Sequence, residues 1–161
     1  MFTIREYTEG DQEQIWQIIK AVISGGDTYS FAPDSSKAEM LDYWCGADKW
    51  TYVAVEDEKI VGTFFIKENH PGLGSHIGNA GYMVASDART KGIGRKMGEF
   101  SIEEAKRLGF EAIQFNYVVK SNERAVKLWK SLGFEVIGEI PEGFRHKENG
   151  LTNVYIMYRK V

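Results

Sequence analysis

Cysteine, histidine and proline are all scarce in this chain. Cys45 is the only cysteine among 161 residues, so no intrachain disulfide can form, which fits a reducing compartment. One cysteine and three scattered histidines do not supply a structural zinc site, and no metal is expected. There are three prolines, and no repeat, low-complexity tract or Pro/Ser-rich linker divides the sequence, so 1–161 reads as one domain. No apolar run approaches the roughly 18 residues of a membrane span, and no membrane partner is expected. The opening Met1-Phe2-Thr3-Ile4-Arg5-Glu6 has neither the basic nor the apolar region of a secretory signal, and a cytoplasmic location is the expectation. Neither charge sign dominates. Twenty basic against 23 acidic residues leave a net charge of -3, which excludes a whole-protein basic field for nucleic acid.

What the sequence does have is a repeated change of hydrophobic period. Residues 2–7 alternate as a strand. Asp11 and Gln14 have the spacing of a capping box, and Ile15, Ile18, Ile19, Val22 and Ile23 follow at helical spacing up to Gly25-Gly26. A second box, Ser36 to Glu39, opens a short helix carrying Met40, Leu41 and Trp44. Strands at 50–56 and 60–67 are joined by the turn Asp57-Glu58-Lys59. A Gly-rich loop over 68–77 precedes a strand at 79–85. The pattern is helical over 92–108, with Gly109 as the residue past the end. A strand at 111–119 leads to a helix that starts at Ser121 or Asn122 and carries Ala125, Leu128, Trp129 and Leu132 on one face. Strands at 134–140 and 153–159, separated by a polar loop, end the chain. The order β-α-α-β-β-β-α-β-α-β-β predicts an α/β (α+β) domain with a mixed central sheet and helices on both faces.

The segment between the strand at 79–85 and the long helix reads Arg89-Thr90-Lys91-Gly92-Ile93-Gly94-Arg95-Lys96. A helix start presents unpaired N–H groups and a positive dipole end. Glycines at 92 and 94 let the main chain approach an anion closely, and four cations flank them, so a diphosphate matches the segment. Two familiar alternatives fail on spelling. A P-loop needs Lys-Ser/Thr after its last glycine, and Gly94 is followed by Arg95-Lys96. A dinucleotide fingerprint needs a third glycine at 97, which is Met97.

These residues resemble a known family. Arg89-x-x-Gly92-x-Gly94 after a strand is similar to motif A of the GNAT acetyltransferases. Asn122-x-x-Ala125-x-x-x-Trp129, followed by Ser131-Leu132-Gly133-Phe134, is similar to their motif B. The resemblance implies acetyl-CoA as co-substrate and a GNAT-like acyltransferase fold. It implies that the main chain from Lys91 to Lys96 (Gly92, Ile93, Gly94 and Arg95 included), with Arg89 and Thr90, binds the pyrophosphate. It also implies that the strand edge Tyr82-Met83-Val84 pairs with the pantetheine arm between two splayed strands. Asn122, Ala125 and Trp129 line that arm. The catalytic assignments are the Val84 N–H as oxyanion donor and Asn122 beside the sulfur. Many relatives carry a tyrosine as the acid where this chain has Trp129, whose N–H is no acid.

A closer resemblance, through Asn79-Ala80-Gly81-Tyr82-Met83-Val84, Phe115-Asn116 and Asn122, is to fungal GNAT enzymes that acetylate proline analogues such as azetidine-2-carboxylate. It implies a small-molecule amine acceptor, with Asn79 and Asn116 as substrate-binding residues at the spacing of asparagines that hold the substrate carboxylate in those enzymes. Tyr29, between the first two helices, is a further pocket candidate, and Arg145 suits a carboxylate. Many relatives use a glutamate as base on the strand holding Asn79, and none stands there. Water, Asp27 or an acceptor of low pKa remain as options. The alternatives to a small-molecule N-acetyltransferase are a catalytically silent acyl-CoA-binding module and a protein N-terminal or lysine acetyltransferase. A homodimer is expected by analogy only.

Overall fold

Strand residues Ile60 through Ile66 are all buried, which requires a sheet covered on both faces. The computed structural model describes residues 1–88 and 91–161. Its elements are β1 (Phe2–Glu6), α1 (Gln12–Ser24), α2 (Lys37–Trp44), β2 (Lys49–Glu56), β3 (Lys59–Glu68), β4 (Ile77–Val84), α3 (Ile93–Arg107), β5 (Ala112–Val119), α4 (Glu123–Ser131), β6 (Glu135–His146) and β7 (Gly150–Lys160), with short 3₁₀ turns between some of them. The strands form one seven-stranded sheet in the order β1-β2-β3-β4-β5-β7-β6. Every pairing is antiparallel except β4 with β5.

Residues of β3 alternate between the two helical layers. A Cβ on Gly62 would lie 2.8 Å from the Met97 sulfur, so the sheet and α3 touch there without a side chain between them. On the opposite face Trp44 of α2 donates to the Thr63 hydroxyl at 3.0 Å and meets the Phe65 ring edge-on at 4.8 Å. Thus α1 and α2 cover one face, and α3 with α4 the other, in agreement with the layered α/β fold read from the sequence. No helix of the described residues is long and apolar enough to cross a membrane.

Three local expectations are corrected. The capping box before α1 is Thr8 with Asp11, not Asp11 with Gln14. The Asp11 carboxylate accepts from the Thr8 amide and from both terminal nitrogens of Arg5, which hold it below the usual carboxylate range. Gln14 instead accepts from the Ile60 amide of β3 at 3.0 Å. The hairpin turn is Asp57-Glu58 alone, both at positive φ as a two-residue primed turn requires, and Lys59 already pairs with Glu56. The polar loop expected after residue 140 is mostly strand. β6 and β7 pair from Glu135 to His146, with a bulge between Ile140 and Phe144. Phe144 is buried against Val119 and Val154, which explains why so polar a stretch still extends the sheet.

Candidate active site

β4 and β5 run parallel but pair only at Ile77–Ala112 and Gly78–Ile113. Beyond those two rungs the sheet opens. Two features hold it open. β5 carries a bulge, its register against β7 stepping from Phe115–Met157 to Val118–Tyr155, so that Asn116 and Tyr117 both reach the gap. Trp129 of α4 sits beneath the gap, its ring 4.7 Å from Tyr82 on one strand and 4.7 Å from Phe115 on the other.

The register of β4 decides which main-chain groups face this opening. Ala85 N–H donates to Val61 and Asn69 N–H donates to Ile77, so the odd-numbered residues of β4 bond to β3. Met83, one of the expected cofactor residues, therefore turns its amide and carbonyl to β3. Ala80, Tyr82 and Val84 turn theirs to the gap. Two of these three are already engaged. The Ala80 N–H donates to the Asn79 side-chain oxygen at 2.8 Å. The Tyr29 hydroxyl accepts from the Tyr82 amide and donates to the Tyr82 carbonyl, both at 2.8 Å. Burial pushes the Tyr29 pKa well above its ordinary value, so the group stays a neutral hydroxyl able to make both bonds. The strand edge expected to be open over Tyr82–Val84 is thus occupied at Tyr82. Of the three, only Val84 has neither its amide nor its carbonyl engaged on that side among the described residues.

Two cavities meet across the opening. One, of about 340 Å³, lies between Val84, the start of α3 at Gly92 and Gly94, and the α4 residues Ala125, Leu128 and Trp129. The other, of about 210 Å³, runs toward Asn79, Asn116 and an aromatic wall of Phe31, Tyr43, Phe65 and Tyr117. Tyr29, Tyr82, Asn122, Ala125 and Trp129 line both. Among the described residues, no carboxylate and no histidine lines either cavity. Asp27 is exposed and lines neither, and His76 is exposed at the paired end of β4, away from Val84.

At the head of α3, Gly92 is the N-cap at φ 73°, and nothing lies within 4 Å of where its Cβ would be. Its value is the left-handed conformation and an uncrowded approach. Two amides of the expected nest are already used, Lys91 N–H by the Ala88 carbonyl and Lys96 N–H by Gly92. The amides of Gly92, Ile93, Gly94 and Arg95 have no partner among the described residues. The described cations of this segment have contacts of their own, and Arg95 also lines the cavity beside Val84. Lys91 reaches Glu56 at 3.5 Å, Lys96 lies over the Phe2 ring, and Arg95 bonds to Ser131 and lies near Glu99. Among the described residues, the free donors at the head of α3 are main-chain amides, and the Arg95 and Arg124 side chains line the adjoining cavity. Arg89 and Thr90, also expected there, lie outside the described residues.

The three asparagines differ in their commitments. Asn122 caps α4, its side-chain oxygen accepting from Ala125 N–H at 3.3 Å, which leaves its NH₂ for the junction of the cavities. Asn79 uses its oxygen on Ala80 and retains its NH₂. Asn116 accepts from Gln114 at 2.9 Å and donates to Asn69 at 2.6 Å, so it belongs to a side-chain ladder that the sequence did not disclose.

A model of the acetyltransferase (GNAT) family matches residues 16–134. The chain belongs to the GNAT N-acetyltransferase family. It is 39% identical over 98 residues to N-acetyltransferase aca1 of Schizosaccharomyces pombe, a match that takes in 60% of this chain and 47% of the relative. The chain thus spans about half the length of that relative. It is similar along 99% of its length to a solved GCN5-related N-acetyltransferase from Kribbella flavida, with 98% of that protein covered, 38% identity and a TM-score of 0.94. The fold is also that of yncA from Salmonella typhimurium, solved with its cofactor acetyl-CoA. That structure matches at 20% identity and a TM-score of 0.88, over 99% of this chain and 94% of that one.

Sequence reasoning missed the Tyr29 clasp on Tyr82, the ladder at Asn116 and most of the aromatic wall. The bulge did leave a trace. Phe115-Asn116-Tyr117-Val118 places two polar residues between two apolar ones and breaks the period of two.

Proposed function

We propose that this GNAT chain moves the acetyl group of acetyl-CoA to the amine of a small molecule, with an amino acid or a proline-like analogue as the acceptor class. The observation that carries the reading is the meeting of two cavities at Tyr82, Asn122 and Trp129 in the gap between β4 and β5. A thioester at that junction is reachable from both sides. The residues fit the donor. Four unpaired amides at the start of α3, with open space above Gly92, suit a diphosphate, and the cavity leading from them ends at the strand opening.

When bound, acetyl-CoA supplies an activated acetyl group. The amides of Gly92 to Arg95 hold its diphosphate, and Ala125 and Trp129 wall its arm. The Val84 N–H, unpaired and aimed at the gap, polarises the thioester carbonyl and stabilises negative charge there. The Asn122 NH₂ donates toward the sulfur as charge develops, in place of an acid at position 129. Tyr29, Asn79 and Asn116 line the acceptor cavity and orient the amine. Among the described residues no carboxylate or histidine lines that cavity, so the acceptor reacts in its neutral form and releases its proton to water.

The test is thiol release from acetyl-CoA across a panel of amines, amino acids and peptides, alongside calorimetry with CoA. Release that depends on a small amine is expected. CoA binding without turnover of any amine would instead make the chain a silent acyl-CoA module, and turnover of peptides alone would make it a protein acetyltransferase.

A further inference from the structure

Beside the acceptor cavity lies a second basin of about 520 Å³, sharing Tyr29, Ser30, Phe31 and Tyr117 with it. The outer wall of the basin is the β6 end, Phe144 to His146, together with Lys147. The two spaces differ in charge. Among the described residues the acceptor cavity is lined by no ionised side chain, whereas the basin presents Arg145, His146 and Lys147 and no acid.

These groups are arranged as donors. Arg145 and Lys147 have no ion-pair partner among the described residues. His146 Nδ1 accepts from the amides of Glu148 and Asn149 at 3.0 and 3.1 Å, which leaves Nε2 to face the basin. The position of the strand end is also fixed. The Tyr117 hydroxyl donates to the Gly143 carbonyl, and Lys147 N–H donates to Gly26 at 3.1 Å. The basic wall is thereby tied both to the bulged strand β5 and to the segment after α1 that supplies Tyr29.

We propose that this basin is the seat of the acceptor's carboxylate. The inference rests on the N-acetyltransferase reading and narrows it. The substrate is an amino acid whose uncharged amine enters the charge-free aromatic cavity, while its acid group stays outside on Arg145 and Lys147. An arginine fork and a neighbouring ammonium suit a carboxylate, and the charge-free inner cavity gives it no cationic partner. Asn116 is poorly placed to replace them, since its amide is already shared with Gln114 and Asn69.

The experiment compares matched acceptors, each amino acid against its own carboxamide, with wild type, Arg145→Gln/Lys147→Gln and Arg145→Lys. Both residues are exposed, and equal melting temperatures confirm the fold. Wild type should favour the acid by about tenfold or more in kcat/KM, through KM. The double variant should lose that preference while keeping its kinetics with the amide and its KM for acetyl-CoA. Arg145→Lys should retain part of it. Equal use of acid and amide by wild type, or an undiminished preference in the double variant, overturns the proposal. Neither result touches the acetyltransferase reading, which fails only if no amine draws thiol release.

Discussion

The two cavities that meet at Trp129 are built in opposite ways. The cavity proposed for the donor offers main-chain groups, namely the free amides at the head of α3 and the edge of β4 at Val84, with Arg95 and Arg124 at its wall. The acceptor side rests on side chains from separate segments: Tyr29 and Phe31 before α2, Tyr43 on it, Phe65 on β3, and Asn116 and Tyr117 on the bulge of β5. Main-chain recognition needs a conformation, and the spacing of two glycines encodes it. Side-chain recognition needs a set of distant residues brought together by the whole fold, and no local pattern encodes that. The sharpest way to break this contrast is Gly92→Asp. The substitution adds a carboxylate where the diphosphate is expected, at a φ of 73° that already disfavours a side chain. CoA affinity should fall by about 100-fold or more, measured by calorimetry, a loss of about 2.7 kcal/mol. Gly92→Ala adds strain without charge and should cost only about 1–2 kcal/mol. Unchanged affinity in the aspartate variant would remove the main-chain anion site and with it the contrast.

The same division explains how far the sequence could be read. The element order, both α/β layers and the Gly92–Gly94 turn follow from period and spacing. The boundaries of β6 and β7 did not, because Pro141 and Glu142 look like a loop until Phe144 is seen buried against Val119 and Val154. Asn79, Asn116, Asn122 and Tyr29 all line the cavities, yet the bonds they make were hidden. Each partner lies elsewhere in the fold or on the main chain, as Asn69 does for Asn116 and the Tyr82 backbone for Tyr29. The contacts of the charged side chains near the glycine turn were hidden as well. Lys91 and Lys96 turn to Glu56 and Phe2, since a long side chain settles on whichever partner the neighbouring strands offer.

A charge-free acceptor cavity has a consequence in pH. With no carboxylate or histidine lining it among the described residues, only the neutral amine is productive. For an alkylamine acceptor, kcat/KM should rise about tenfold per pH unit below the acceptor's own pKa and level off above it. Replacing the acceptor by one of lower pKa should move the bend by the same interval. A bend near pH 6 to 7 that stays fixed across acceptors would reveal a protein base, and the acceptor side would then hold a catalytic group of its own.

Tyr29 touches both cavities, so its removal tests where one ends and the other begins. Tyr29→Phe leaves the Tyr82 amide and carbonyl without their partner and should lower stability by about 1–3 kcal/mol. If Val84 is the edge that serves the donor, CoA affinity in the variant should stay within about twofold of wild type. Tighter binding would mean that the hydroxyl competes with the donor for Tyr82, and the carbonyl-polarising amide would move to that residue.

The smallest expected effect belongs to Asn116, and it bears most directly on the separation of the two sides. Its amide is held by Gln114 and Asn69, so one N–H and one lone pair remain for an acceptor. Asn116→Ala removes a single neutral hydrogen bond to the acceptor and loosens the ladder, which should raise the acceptor KM by about two- to tenfold. The KM for acetyl-CoA should hardly move, because the donor cavity does not include this residue. Asn69→Ala supplies the control. It cuts the ladder without removing a group from the cavity wall, so an equal rise in acceptor KM would assign Asn116 to holding the bulge rather than to touching the acceptor. Parallel rises in both KM values would instead show that the bulge of β5 sets the width of the whole opening, and that donor and acceptor sides are one mechanical unit.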